Sequence, residues 1–237
     1  MKRLFLVLFL ILGFFLLFKG ISYAISPAQQ ATIATQEEWN KDWKYLCLEK
    51  WQDFGFNSPE EVKKAQIGKP FPIKMVDIKE FVVAKEIIPQ TREAYRYVFP
   101  IQVEGKVVNE IHTGLSSGKW ETIMIGGNIS KVLYEIAAAN DIQPDEVNIV
   151  FLGTSKYLVF NSNQEEVAVK ITENDKSYKN QVDVFKQEAK ELQEFISNKG
   201  ENMQEYIGLM LIEGERSIQQ ENWLKRLARF IQYKLQI

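Results

Sequence analysis

Apolar side chains occupy alternate positions at Tyr95, Tyr97, Phe99, Ile101 and Val103, the period of a strand presenting one face to a core. Pro100 cannot donate to a ladder, which predicts an edge strand or one with a bulge; an edge would be open to strand addition. Glu104-Gly105 turns this strand into 106–113, and Ser116-Ser117-Gly118 turns again into 119–125, a three-strand antiparallel meander. The period then changes. Behind Gly126-Gly127-Asn128, the residues Ile129, Val132, Leu133, Ile136 and Ala137 share one helical face, ended by Asn140-Asp141. Three short strands follow over 147–152, 157–161 and 167–171. Past a polar hinge at 172–177, Tyr178, Val182, Phe185, Ala189, Leu192 and Ile196 form the apolar seam of a long helix.

Upstream, apolar positions 39, 43, 46 and 47 predict a helix within 36–52. Ser58-Pro59-Glu60-Glu61 is a helix start, with Ser58 as cap, Pro59 at the first position and Glu61 closing a capping box. Gly68 and Pro70 end that helix. Residues 25–35, small and polar, are expected to be a linker, and 203–212 are apolar without a clear period. The stretch 217–237 predicts a terminal helix. The expected architecture is α+β: an antiparallel sheet over about 73–171 covered by the 129–139 helix. Helices precede that sheet within a domain spanning 36–172, and a helical section, 178–237, packs on it.

The first residues change the picture of where this domain resides. Met1-Lys2-Arg3 is cationic, residues 4–18 are apolar apart from Gly13, and Ser22 and Ala24 are small residues placed for a cut after Ala24. This predicts a signal peptide over 1–24 and a secreted or cell-envelope protein. The alternative is an uncleaved membrane anchor, although the apolar run is short for a span and is closed by Lys19. Removing 1–24 takes Lys2, Arg3 and Lys19 but no acid.

Composition narrows the chemistry. The 237 residues carry 29 Lys+Arg and 31 Asp+Glu, so no global field favours nucleic acid. One Cys excludes an intramolecular disulfide, and one His excludes Cys/His zinc sites. Cys47, among Trp39, Trp43 and Leu46, reads as a buried thiol. No cofactor is implied.

Several local patterns resemble catalytic motifs and fail on context. Gly114-Leu115-Ser116-Ser117-Gly118 spells G-x-S-x-G, but a nucleophile elbow needs a strand before it and a helix after it. Here a strand follows, and the only His, His112, precedes the Ser in the same hairpin. Ser116 and Lys119 match S-x-x-K without the helix that motif requires. Ser116, His112 and Lys119 are therefore expected to be non-catalytic. Glu110 and His112 share a strand face, yet neither a second His nor a third ligand is near. The Gly126-Gly127-Asn128 entrance lacks dinucleotide spacing, and acids at 141, 145 and 146 lack calcium-loop spacing.

Two features remain as candidate contact surfaces. Trp39, Trp43 and Trp51 form either a platform or the core of an amphipathic helix. In the terminal helix, Trp223, Leu224, Leu227, Ala228, Phe230, Ile231 and Leu235 fall within one arc of about 160°, opposite Lys225, Arg226 and Arg229. Such a helix docks on its own domain, lies on an anionic membrane or binds a partner.

The succession IGKPF (67–71), YRYVFPIQVEGK (95–106), SGKWETIMIGG (117–127) and VNIVFL (147–152) resembles that of uncharacterised exported bacterial proteins sharing G-x-P-F, P-[IV], G-K-W-E and I-G-G. A helix on a meander is also similar to cystatin-like and PepSY-like modules, some of which accompany proteases as propeptides or inhibitors. The poverty of nucleophile, His and metal sets, together with the aromatic faces and an edge-type strand, points to a non-catalytic module binding a protein or peptide. The alternatives are a membrane-associated envelope component and a hydrolase built from Asp/Glu residues distant in sequence.

Overall fold

The computed structural model describes residues 25–172 and 178–199. The leader expected over 1–24, the stretch 203–212 and the helix expected over 217–237 lie outside the described residues. The first helix, α1 (Pro27–Glu38), occupies most of the stretch expected to be a linker. The cause is local. Ser26 Oγ accepts the Gln29 N–H, the Gln29 side chain accepts the Ser26 N–H, and Pro27 takes the first helical position. The small residues that look like a linker let the helix lie close to the sheet: Ala31 and Thr35 are buried, and Thr35 Oγ1 is 2.6 Å from Thr113 Oγ1. Thr35 gives its one hydroxyl proton to Ala31 O (2.7 Å), so Thr113 is the donor across that contact.

α1 runs through a π-helical turn (Trp39–Trp43) into α2 (Lys44–Glu49), so the helix expected within 36–52 is the second half of a longer one. α3 (Pro59–Lys64) begins where expected, with Ser58 Oγ accepting the Glu61 N–H at 3.2 Å. The capping box does not close on Ser58. The Glu61 carboxylate reaches one residue further back, to the Asn57 N–H (2.7 Å).

The strands are β1 (Gln66–Ile67), β2 (Phe71–Val76), β3 (Thr91–Val103), β4 (Lys106–Ser116) and β5 (Lys119–Ile125). After α4 (Ile129–Ala139) come β6 (Asn148–Leu152), β7 (Ser155–Ser162) and β8 (Glu165–Lys170), then α5 (Val182–Lys199). They form one sheet in the order β5-β4-β3-β2-β6-β7-β8, with β1 also paired to β3. Every pairing is antiparallel except that of β2 with β6. The protein is thus an α+β fold with a large, mostly antiparallel sheet. Positive φ at Glu104 and Gly105, and at Ser117 and Gly118, gives both meander turns the twist that two-residue hairpins need.

β3 is not an edge strand, which corrects the edge expectation; it lies between β4 and the β1/β2 pair. Pro100 is tolerated because its nitrogen and carbonyl face the break between β1 and β2. There Gly68 N–H donates to Pro100 O at 2.8 Å. A Cβ on Gly68 would sit 2.7 Å from Pro100 Cγ, so the break needs glycine. The bulge does occur, as a register slip against β4 between Ile101 and Gln102. The two outer strands are partly engaged. On β5 the Thr122 N–H goes to Glu38 (2.9 Å), and on β8 the Ala168 carbonyl accepts from Gln181 N–H (2.7 Å).

Both faces of the sheet are covered. α4 buries Ile129, Leu133, Ile136 and Ala137 on Phe71, Ile73, Val98, Ile149 and Leu158. On the opposite face α1 to α3 cover Tyr97, Phe99, Ile101 and Ile111, while α5 lays Phe185, Ala189 and Ile196 on Val150, Tyr157 and Val159. The seam read from Tyr178 starts at Val182 instead. Tyr178 precedes the helix, and its hydroxyl donates to Glu135 of α4.

Candidate functional site

The chain opens a groove where it leaves β1 and re-enters the sheet as β2. Ile67 to Pro72 cross its floor; Thr32 and Gln36 of α1 stand on one side, Tyr134 of α4 and Gln143, Pro144 and Asp145 on the other. Its volume is about 910 Å³. Pro70, Pro72 and Pro144 have fixed φ and no N–H, so these parts of the lining are stiff and free of backbone donors. Tyr134 is held edge-on to Phe71 (ring centroids 6.0 Å apart) and its hydroxyl accepts from Gln102 Nε2 at 3.1 Å. The polar lining combines the side-chain amides of Gln36, Gln102, Gln143 and Asn148 with Lys69, Lys74, Glu93 and Asp145, which supply both signs of charge. Amides both donate and accept, which matches the backbone of an extended peptide.

On the α4 face of the sheet the bulge in β3/β4 produces a second arrangement. Arg96, Glu110 and His112 are 7%, 1% and 0% exposed and lie in line. Arg96 Nη2 is 3.2 Å from His112 Nδ1, and His112 Nε2 is 2.8 Å from Glu110 Oε1. Glu110 Oε2 accepts the Ser130 N–H at 2.6 Å in the first turn of α4. A guanidinium only donates, so His112 Nδ1 must accept and the imidazole proton sits on Nε2, donated to Glu110. His112 is therefore neutral, and its contact with Glu110 is a hydrogen bond rather than an ion pair. Burial pushes the His112 pKa down, and Arg96 and Lys156 reinforce this against the pull of Glu110. Burial alone would push the Glu110 carboxyl up, but hydrogen bonds from His112 and Ser130 outweigh it and hold the carboxyl below its ordinary range.

Gly127 belongs to this arrangement: a Cβ there would lie 2.2 Å from Glu110 Oε1. The helix N-terminus that sequence offers to an anion is thus occupied by the protein's own carboxylate. Glu110 and His112 do share a face, as expected, whereas Arg96 and Ser130 complete a set that sequence reasoning did not assemble.

The remaining candidates fall into place individually. Trp39 is buried, and Trp43 and Trp51 are half-buried against the same apolar cluster, so all three pack as core. Trp223, Lys225, Arg226 and Arg229 lie outside the described residues. Cys47 is fully buried, and burial pushes its thiol up to about 12, which keeps it protonated and inert. Ser116 pairs with Lys119 across the hairpin turn. Among the described residues no group of acids, His or Cys is arranged to hold a metal ion, and no helix is long and apolar enough to cross a membrane. Comparison with models of known protein families, with curated proteins and with solved structures yields no match to this chain.

Proposed function

We propose that the protein is an exported, non-catalytic module that binds an extended protein or peptide segment, in the manner of an inhibitor or propeptide. The observation that carries this reading is the groove at the β1/β2 break, with prolines and amides in its lining. It replaces strand addition as the binding mode, because β3 is interior. Export rests on the pattern of residues 1–24. A cut after Ala24 would leave Ile25 beside the Ser26 cap of α1, so the folded part would survive processing. N-terminal sequencing of the protein from an envelope or medium fraction is expected to begin at Ile25, and an intact Met1 in the membrane fraction would favour the anchor.

Binding is tested by selecting a random-peptide phage library against the chain from Ile25 to Ile237. Enriched peptides should bind the double variant Gln36→Arg/Gln143→Arg at least about tenfold more weakly, a loss of about 1.4 kcal/mol. Both positions are exposed, so folding is preserved. Enrichment that ignores the double variant overturns the groove reading. A hydrolase is the second reading, favoured by the presence of Glu93 and Asp145 on one groove. Glu93→Gln and Asp145→Asn in a panel of glycosidase and peptidase assays test it, and activity lost in both would displace the binding reading.

A further inference from the structure

We propose that Arg96, His112 and Glu110 form an acid-sensitive latch that holds the first turn of α4 on the sheet. It works through neutral His112 and stands whatever the groove binds. Each link is at hydrogen-bonding distance and out of water: Arg96 to His112 at 3.2 Å, His112 to Glu110 at 2.8 Å, Glu110 to the Ser130 N–H at 2.6 Å. The chain works only with one proton on the ring. A second, on Nδ1, would set an N–H against the Arg96 N–H groups and a cation against a guanidinium, with no water to separate them. Acid must therefore break the Arg96–His112 link.

The charges around the ring oppose one another, and burial decides between them. From β3 the ring meets Arg96 and from β7 Lys156, both cationic, and from β4 it meets Glu110. From α4, Glu110 in turn meets the amide end of the helix, whose partial positive charge competes with an imidazolium for the same carboxylate. Glu110 is the largest influence favouring a second proton on the ring, but it is shared with the helix, and burial together with Arg96 and Lys156 outweighs it.

The direction with pH follows from linkage. In the opened or unfolded chain His112 titrates near the ordinary value of about 6.5, whereas in the latched state it stays neutral below that. The open state then binds more protons once the pH falls below about 6.5, and the latch weakens as acidity increases. Glu110, also held low in the latched state, adds a second loss only below its ordinary range near pH 4.3. Between about pH 6.5 and pH 5 the effect belongs to His112.

Two measurements test this on the intact chain. The protein has one His, so its imidazole carbon-bound proton NMR signals need no assignment. They are expected to show a neutral ring protonated on Nε2 that does not titrate near pH 6.5 while the protein is folded; an ordinary titration there would overturn the proposal. In hydrogen exchange corrected for intrinsic rates, opening at Ser130 should become about tenfold more frequent per pH unit below about 6.5, the slope of one linked proton. His112→Gln keeps a donor for Glu110 and an acceptor for Arg96 but cannot titrate, so it should flatten that slope. If His112→Gln folds and keeps the wild-type slope, the latch does not act through His112. If it does not fold, the imidazole signals of the natural chain still decide.

Discussion

α4 and α5 are each fastened to the same sheet through a glutamate, one reaching from strand to helix and the other from helix to strand. Glu110 of β4 is enclosed and bonds the first turn of α4. Glu188 of α5 accepts from Tyr157 at 2.8 Å and pairs with Lys170 at a site where its side chain is 29% exposed. The first carboxylate has no water to replace a lost partner; the second does. Burial pushes both carboxyls up, and in both the hydrogen bonds outweigh it. What separates them is the consequence of cutting the contact, since an orphaned buried polar group costs far more than an exposed one.

Glu110→Ala is therefore expected to give the largest loss, about 3–5 kcal/mol in chemical denaturation, because it strands the Ser130 N–H and the His112 donor together, two buried donors at about 1–3 kcal/mol each. A loss below 1 kcal/mol would mean that water reaches the site. Gly127→Ala comes next, at about 3 kcal/mol, since it adds a Cβ 2.2 Å from Glu110 Oε1 at φ +131°. Gly126→Ala is the control: its φ of +115° is also unfavourable, but nothing lies within 4 Å of the new atom, so only backbone strain of about 1–2 kcal/mol remains. Equal losses at the two glycines would show that Glu110 does not press on the loop. On the α5 side, Tyr157→Phe removes one hydrogen bond to a carboxylate that keeps Lys170 beside it, and about 1 kcal/mol should be lost.

The same contrast explains what was legible in the sequence. The apolar stripes of α4 and α5 were, because each repeats with helical period and buries the residues that the period selects. α1 was missed although Ser26-Pro27-Ala28-Gln29 carries the start signal recognised at Ser58, because Ala and Thr at the contact positions give no apolar stripe. The latch was half visible. Near the turn Val103 pairs with Lys106, but beyond the bulge Val98 pairs with His112. Continued without the bulge, that register would have set His112 opposite Tyr97, on the other face of the sheet. One unpaired residue decides whether Glu110 and His112 point at α4, and no periodicity in the sequence announces it. The groove was illegible for a related reason: its lining comes from stretches far apart in sequence, from α1 to β6, brought together at the β1/β2 break.

The smallest effect is expected at Ser116, where the G-x-S-x-G spelling most strongly suggests chemistry. Ser116 lies four residues beyond His112 on β4, about 13 Å along a strand rising about 3.3 Å per residue, out of reach of a hydrogen bond between them. The imidazole is also committed, with Nδ1 facing Arg96 and Nε2 facing Glu110, so it holds no lone pair for a serine proton. Ser117 and Gly118 take positive φ because a two-residue hairpin requires it, and a strand rather than a helix follows. Ser116→Ala should therefore change stability by no more than about 0.5 kcal/mol and leave any hydrolytic turnover within about threefold, while His112→Gln alters the pH profile of α4 exchange. A hundredfold loss of turnover in a folded Ser116→Ala protein would place a catalytic serine at this turn and would require a base other than His112.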